Sequence, residues 1–261
     1  MKRCPATVDL FIIFGYTREY HNTERVVVMF FDVYYLVLVL PAVILAMWAS
    51  NRVNRTFRKY SQQLSIRRLT GADAARMVLD ANGLHQVRIE RVAGNLTDHY
   101  DPRTNVIRLS DSVYDNASTA AIGVAAHEAG HAIQYATHYL PIKLRAAIIP
   151  ITNIGSKLAI PLILIGLLFV SGDLGVQLAY AGIACFGLST VFQLVTLPTE
   201  FNASHRALAA LEQGHLLNED EMVGARKTLW AAAMTYVAAL AVSLAQLFRL
   251  LLIVGNRRRN D

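Results

Sequence analysis

The chain has 261 residues, 54% of them apolar and 17% charged, and carries a formal net charge of +6. That length allows one large domain or a small domain joined to a membrane part, and the apolar excess favours the second. Two distant cysteines, Cys4 and Cys185, exclude a disulfide framework. The basic clusters (Arg52, Arg55, Arg58, Lys59, Arg67 and Arg68, then Arg257, Arg258 and Arg259) border apolar runs without interleaved aromatics, which points to lipid headgroups and away from nucleic acid.

Residues 1–28 mix polar and apolar side chains and lack the core and cleavage site of a signal peptide. The nearly continuous apolar run that follows, interrupted by Asp32, predicts a first transmembrane helix over 29–49, with Trp48 as an interfacial anchor. The basic segment 51–68 marks the cytoplasmic side, so the N-terminus is expected outside. A catalytic domain is expected over 50–145. Within it, Thr70 caps a helix ending near Gly83, and Val87–Val92 and Asn105–Ser110 read as short strands with a turn at Asp101-Pro-Arg-Thr between them. The second strand either receives an extended peptide through its backbone or is a plain stabilising edge.

Ser118 then caps a helix expected to run to about Tyr139, before Pro141 stops it. This helix carries His127-Glu128-Ala-Gly-His131. One helical turn separates the two imidazoles and puts them on one face, where both can reach one metal, while Glu128 points beside them toward a metal-bound water. Neutral nitrogen ligands, an open coordination position and a carboxylate base are what peptide hydrolysis at zinc requires. The bland alternative is a structural histidine pair.

Residues 146–196 are expected to form a membrane hairpin of two spans, Ala146–Val170 and Leu174–Thr196, with Lys157, Pro150 and Pro161 in the first and only Ser171-Gly-Asp between. A hairpin returns the chain to the side it left. Residues 197–228 therefore rejoin the zinc helix, with Pro198 and Thr199 starting a new helix and Glu200 in its first turn. Glu200 is the candidate third ligand; the alternative is a carboxylate stabilising a helix N-terminus. Ser204, one turn on, either hydrogen-bonds a ligand histidine or simply packs, Asn202 and Arg206 are candidate substrate contacts, and His205 reads as surface. A fourth span is expected over 229–254, with Arg249 near its end, followed by a basic tail at 255–261. Four spans would leave that tail outside, against the positive-inside rule, and the stronger signal after the first span is taken to prevail.

Together these segments resemble the YugP-type neutral zinc metallopeptidases of bacterial membranes, which are distantly similar to the HtpX-type proteases. The resemblance runs from about Met29 to the end. It is carried by Met29-Phe-Phe-Asp-Val-Tyr-Tyr, by Asp98-His-Tyr-Asp-Pro-Arg-Thr with Val106-Ile-Arg-Leu-Ser, by Val124-Ala-Ala-His-Glu-Ala-Gly-His-Ala-Ile-Gln, and by Pro198-Thr-Glu-Phe-Asn-Ala-Ser. It implies a gluzincin-like site in which His127, His131 and Glu200 bind one zinc ion and Glu128 is the general base. Related zincins carry an aspartate four residues after the glutamate ligand, where this chain has Ser204. Residues 1–28 have no counterpart, and a misassigned start is the expected reason.

The expected fold is thus a mainly α membrane protein with about four transmembrane helices and a small α+β zincin-like catalytic domain at the membrane face. The expected function is an integral membrane zinc metalloendopeptidase. Zinc would activate a water, Glu128 would take its proton and return it to the leaving amine, and no covalent intermediate would form. Tyr100, Val106 and Arg108 join Asn202 and Arg206 as candidate substrate contacts, and Arg206, Tyr100 or Tyr236 as oxyanion stabilisers. The expected setting is the bacterial inner membrane, multi-pass, with the site on the cytoplasmic side. Expected partners are peptide or protein substrates, membrane proteins among them, and the bilayer, with no nucleic acid. Two rivals stand: a membrane scaffold whose zinc is closed by a fourth ligand, His99, His138 or His205, and an ion transporter using Asp32, Lys157 and Arg249.

Overall fold

The computed structural model describes residues 32–170 and 172–260; the expectations for 1–28 fall outside them. Among the described residues, 75% are helical, with one small sheet and four helices long and apolar enough to cross a membrane. In order, a π-helical turn at Tyr35–Val39 leads into α1 (Leu40–Tyr60), followed by α2 (Gly71–Ala81), β1 (Arg88–Val92), β2 (His99–Asp101), β3 (Val106–Ser110), α3 (Thr119–Ala136), α4 (Leu140–Leu164), α5 (Gly172–Gln213) and α6 (Glu219–Asn260). The residues fall into two compact units. One comprises 49–144 and 195–235, and the other includes 32–48, 145–194 and 236–260.

In the first unit, local signals start and stop the short elements. Thr70 and Asp73 form a reciprocal capping box, the Thr70 hydroxyl accepting from the Asp73 N–H and the Asp73 carboxylate from the Thr70 N–H. Gly83, at φ +72°, ends α2 in the left-handed conformation that glycine adopts without strain. The sheet order is β1-β3-β2, with β1 parallel and β2 antiparallel to β3. Val106, Ile107 and Leu109 of the central strand are buried, and α3 packs against α2, β2 and β3. The sequence reading missed β2: three residues, His-Tyr-Asp, are too short and too polar to show a period-two pattern.

Small residues let α3 sit deep in this unit. A Cβ at Gly123 would lie 3.2 Å from Ala225 of α6, and one at Gly130 would lie 2.5 Å from the carbonyl oxygen of Ala203 on α5. Ser118 caps the helix, its hydroxyl accepting from the Ala121 N–H.

The second unit is inside out. Large apolar side chains such as Val37, Ile44, Ile154, Phe169, Leu174, Val191 and Phe248 are exposed, the surface a lipid environment selects. Glycines bring α4 and α5 together: Gly155 lies against Cys185 and Leu188, and Gly182 against Ala159 and Ile163. Arg249 is buried and holds Asp32 at 2.7 Å, and Lys157 is exposed.

Several boundaries differ from expectation: α3 ends at Ala136, short of Tyr139, Pro141 lies in the first turn of α4 instead of stopping a helix, and the spans expected to begin at Ala146 and at 229 and to end at Thr196 are parts of longer helices. α1 does not end with the membrane run but carries the basic segment on as helix to Tyr60. Pro198 starts no helix, because α5 runs unbroken through it from Gly172 to Gln213. A mid-helix proline removes the N–H that the Leu194 carbonyl would accept, and in the same turn the Thr199 hydroxyl donates to the Val195 carbonyl. Glu200 therefore sits mid-helix, where the dipole account of its place loses its basis.

Candidate metal centre

α3 and α5 meet at the site. His127 and His131 project from one face of α3 with ring centroids 4.7 Å apart and planes at 82°. Across from them Glu200, 2% exposed, brings Oε2 to 3.3 Å from His127 Nε2 and 3.5 Å from His131 Nε2. One ligand atom from each of the three lies within 4.8 Å of the others, and among the described residues no further His, Cys, Asp or Glu joins them. His99 Nδ1–H donates to the Thr97 carbonyl at 2.9 Å, and His138 and His205 are exposed.

The polar atoms behind the histidines bear on whether a metal fits. His131 Nδ1 lies 3.0 Å from Gln134 Oε1, and His127 Nδ1 lies 3.1 Å from Ser204 Oγ. With a proton on Nδ1 each neutral ring turns an Nε2 lone pair toward the Glu200 carboxylate. Lone pairs and a carboxylate facing one another at 3.3–3.5 Å repel unless a cation lies between them. The donor set, two imidazole nitrogens and a carboxylate oxygen, is one that suits zinc.

Glu128 is buried beside this group. Burial pushes its carboxyl up to about 7, against the opposing pull of His127 and a backbone hydrogen bond from Tyr100, with Asp98 and Glu200 adding to the rise. Asp98 is itself raised by burial, although the Ser110 N–H and hydroxyl both donate to it, at 2.7 and 2.9 Å.

The candidate substrate residues scatter. Val106 is fully buried in the central strand, whose two sides are taken by β1 and β2, so neither its side chain nor its backbone is open to a ligand. Arg108 pairs with Glu90 and Asp101. The edge strand next to α3 is β2, not the strand at 105–110, and it carries Tyr100, whose hydroxyl donates to Asn105 Oδ1. Asn202 and Arg206 bond each other, Arg206 Nε–H donating to Asn202 Oδ1 at 2.8 Å. Tyr236 belongs to the second unit. Gln134, Thr199 and Asp98 were not singled out from sequence. A polar glutamine within an alanine-rich helix, one turn after His131, was the signal available for the first.

Comparison with known proteins adds an independent line. The sequence model of a family described as "Putative neutral zinc metallopeptidase" matches residues 35–255. The chain belongs to this family. It is also 44% identical over 224 residues, covering 86% of this chain and 98% of the relative, to the "Putative membrane protease YugP" of Bacillus subtilis (strain 168). No solved structure matches the chain. The family match spans both α3 and α5, and so takes in all three members of the candidate metal group.

Proposed function

We propose that this chain is an integral membrane zinc metalloendopeptidase in which His127, His131 and Glu200 hold the metal and Glu128 is the general base. The observation that carries the reading is the three-membered donor group with no fourth protein donor among the described residues. A structural zinc site is closed by four protein ligands, whereas a catalytic one leaves a place for water and substrate. Zinc held there supplies Lewis acidity toward a peptide carbonyl and toward water. Glu128, poised near neutrality by burial, takes the proton of the attacking water and delivers it to the departing amide nitrogen. Ser204 orients His127. Strand β2, packed against α3 at one edge of the sheet, is suited to hold an extended peptide through its backbone.

The basic residues of α1 beyond its membrane run, Arg52, Arg55, Arg58 and Lys59, support a cytoplasmic placement of the site in a bacterial inner membrane. Peptides and proteins, membrane proteins among them, are the substrates that this setting implies. The test is Glu128→Gln in the full chain in detergent, with bound zinc counted and peptide cleavage measured. Zinc retained with cleavage reduced by about a thousandfold or more supports the reading. Cleavage at the parental rate overturns it.

A further inference from the structure

We propose that Gln134, Asn202 and Arg206 form a positioning relay that locks His131 in the Nδ1–H tautomer, so that its Nε2 lone pair is presented to the metal. The relay rests on the reading of His131 as a ligand. It follows from groups whose hydrogen-bonding roles cannot be exchanged.

Amide side chains and imidazoles are ambiguous by themselves, since each can be turned to donate or to accept. Here both ends of the chain of bonds are unambiguous. The Arg206 guanidinium can only donate, so the atom of Asn202 that it meets at 2.8 Å must be the amide oxygen. That oxygen also lies 3.0 Å from the Gln134 side chain, which must therefore offer its nitrogen. The Thr199 backbone carbonyl can only accept, and at 2.7 Å it makes the same demand on Gln134. With Nε2 committed twice, Gln134 turns Oε1 to His131 Nδ1 at 3.0 Å, and Nδ1 must carry the proton. Gln134 is fully buried, so water offers it no alternative partner.

His127 has no equivalent. Its Nδ1 partner is the Ser204 hydroxyl, which rotates to donate or accept and so selects no tautomer. The relay also explains the cluster on α5: Thr199 and Asn202 flank Glu200, so the segment that delivers the carboxylate orients the second histidine as well. Arg206, packed over the Tyr139 ring at 5.8 Å, is held in place from the other side.

The experiment uses the full-length chain in detergent micelles, first stripped of metal, then titrated with Zn2+ against a chelator. In the parent, imidazole 15N–1H spectra should show a proton on His131 Nδ1 shielded from exchange. Gln134→Leu should lose that signal and weaken Zn2+ binding by about 10–100-fold. Asn202→Asp, which keeps an acceptor for both Arg206 and Gln134, should retain the signal and bind Zn2+ within about threefold of the parent, whereas Asn202→Leu leaves Gln134 to the Thr199 carbonyl alone and should speed exchange of the His131 Nδ1 proton. Gln134→Met, apolar and close to glutamine in volume, keeps the test open should Gln134→Leu not fold, and it too should lose the signal. An unchanged His131 Nδ1–H signal in Gln134→Leu, or in Gln134→Met where the former does not fold, overturns the relay. The spectra need neither metal nor turnover, so a lock that stands in a chain unable to cleave peptides sinks only the peptidase reading. A failed lock in an active enzyme sinks only the relay.

Discussion

Replacing Gly130 by alanine probes the contact that places Glu200. The new Cβ would meet the Ala203 carbonyl oxygen at 2.5 Å, and the neighbouring Ala203 carbon atoms at 3.2–3.3 Å. Both parties are helix backbone, so neither can swing aside as a flexible side chain would. Reaching ordinary contact near 3.4 Å requires the helices to separate by about 0.9 Å. Zinc ligand distances tolerate about 0.2 Å, so Glu200, three residues from Ala203, would be carried out of reach of a metal held by His127 and His131. Pulling it back restores the overlap at an overpacking cost of about 2–3 kcal/mol, which corresponds to about 30–150-fold in affinity. Zn2+ affinity by chelator competition is the assay. Gly187→Ala is the control, because it lies on α5, the helix that carries Ala203 and Glu200, with nothing within 4 Å of its added Cβ. If Gly130→Ala binds zinc within about threefold of the parent, Ala203 does not set the position of Glu200 and the reasoning fails.

Other consequences are equally concrete. Thr70→Ala removes one half of the capping box and should destabilise the chain by about 1 kcal/mol without changing zinc affinity, read from thermal melts beside the metal titration. Arg249 is 5% exposed and paired with Asp32, so Arg249→Met or Asp32→Asn alone should destabilise by about 3 kcal/mol, and the double variant by clearly less; equal losses in all three would remove the pair as a unit. In the metal-free chain the Glu128 carboxyl is raised from 4.5 to about 7, so its protonation stabilises the fold fully below the lower value. About 3 kcal/mol of stability should be lost as pH rises through the upper one. Melts across that window should show the slope in the parent and its absence in Glu128→Gln; equal slopes would contradict the assignment.

The sequence by itself determined the elements whose cause is local. A four-residue spacing on a helix puts His127 and His131 on one face, Thr70 and Ser118 announce helix starts through their own hydrogen bonds, and long apolar runs declare spans without reference to anything else in the chain. Glu200 could be proposed because the hairpin returned the chain, but not placed: Pro198 read as a start, and only the continuous α5 puts the carboxylate mid-helix against α3. The strand nearest the site could not be read either, since three polar residues become β2 only when β3 offers an edge to pair with. Tertiary structure also brings Asn202 to Arg206 on one side and to Gln134 on the other. The bonds from Gln134 join residues 65 or more apart, and their donor and acceptor roles exist only once both helices are in place. Side-chain identity carries the chemistry a site can perform, whereas which atom faces which is a property of the packing, set here by a glycine that lets two helices touch.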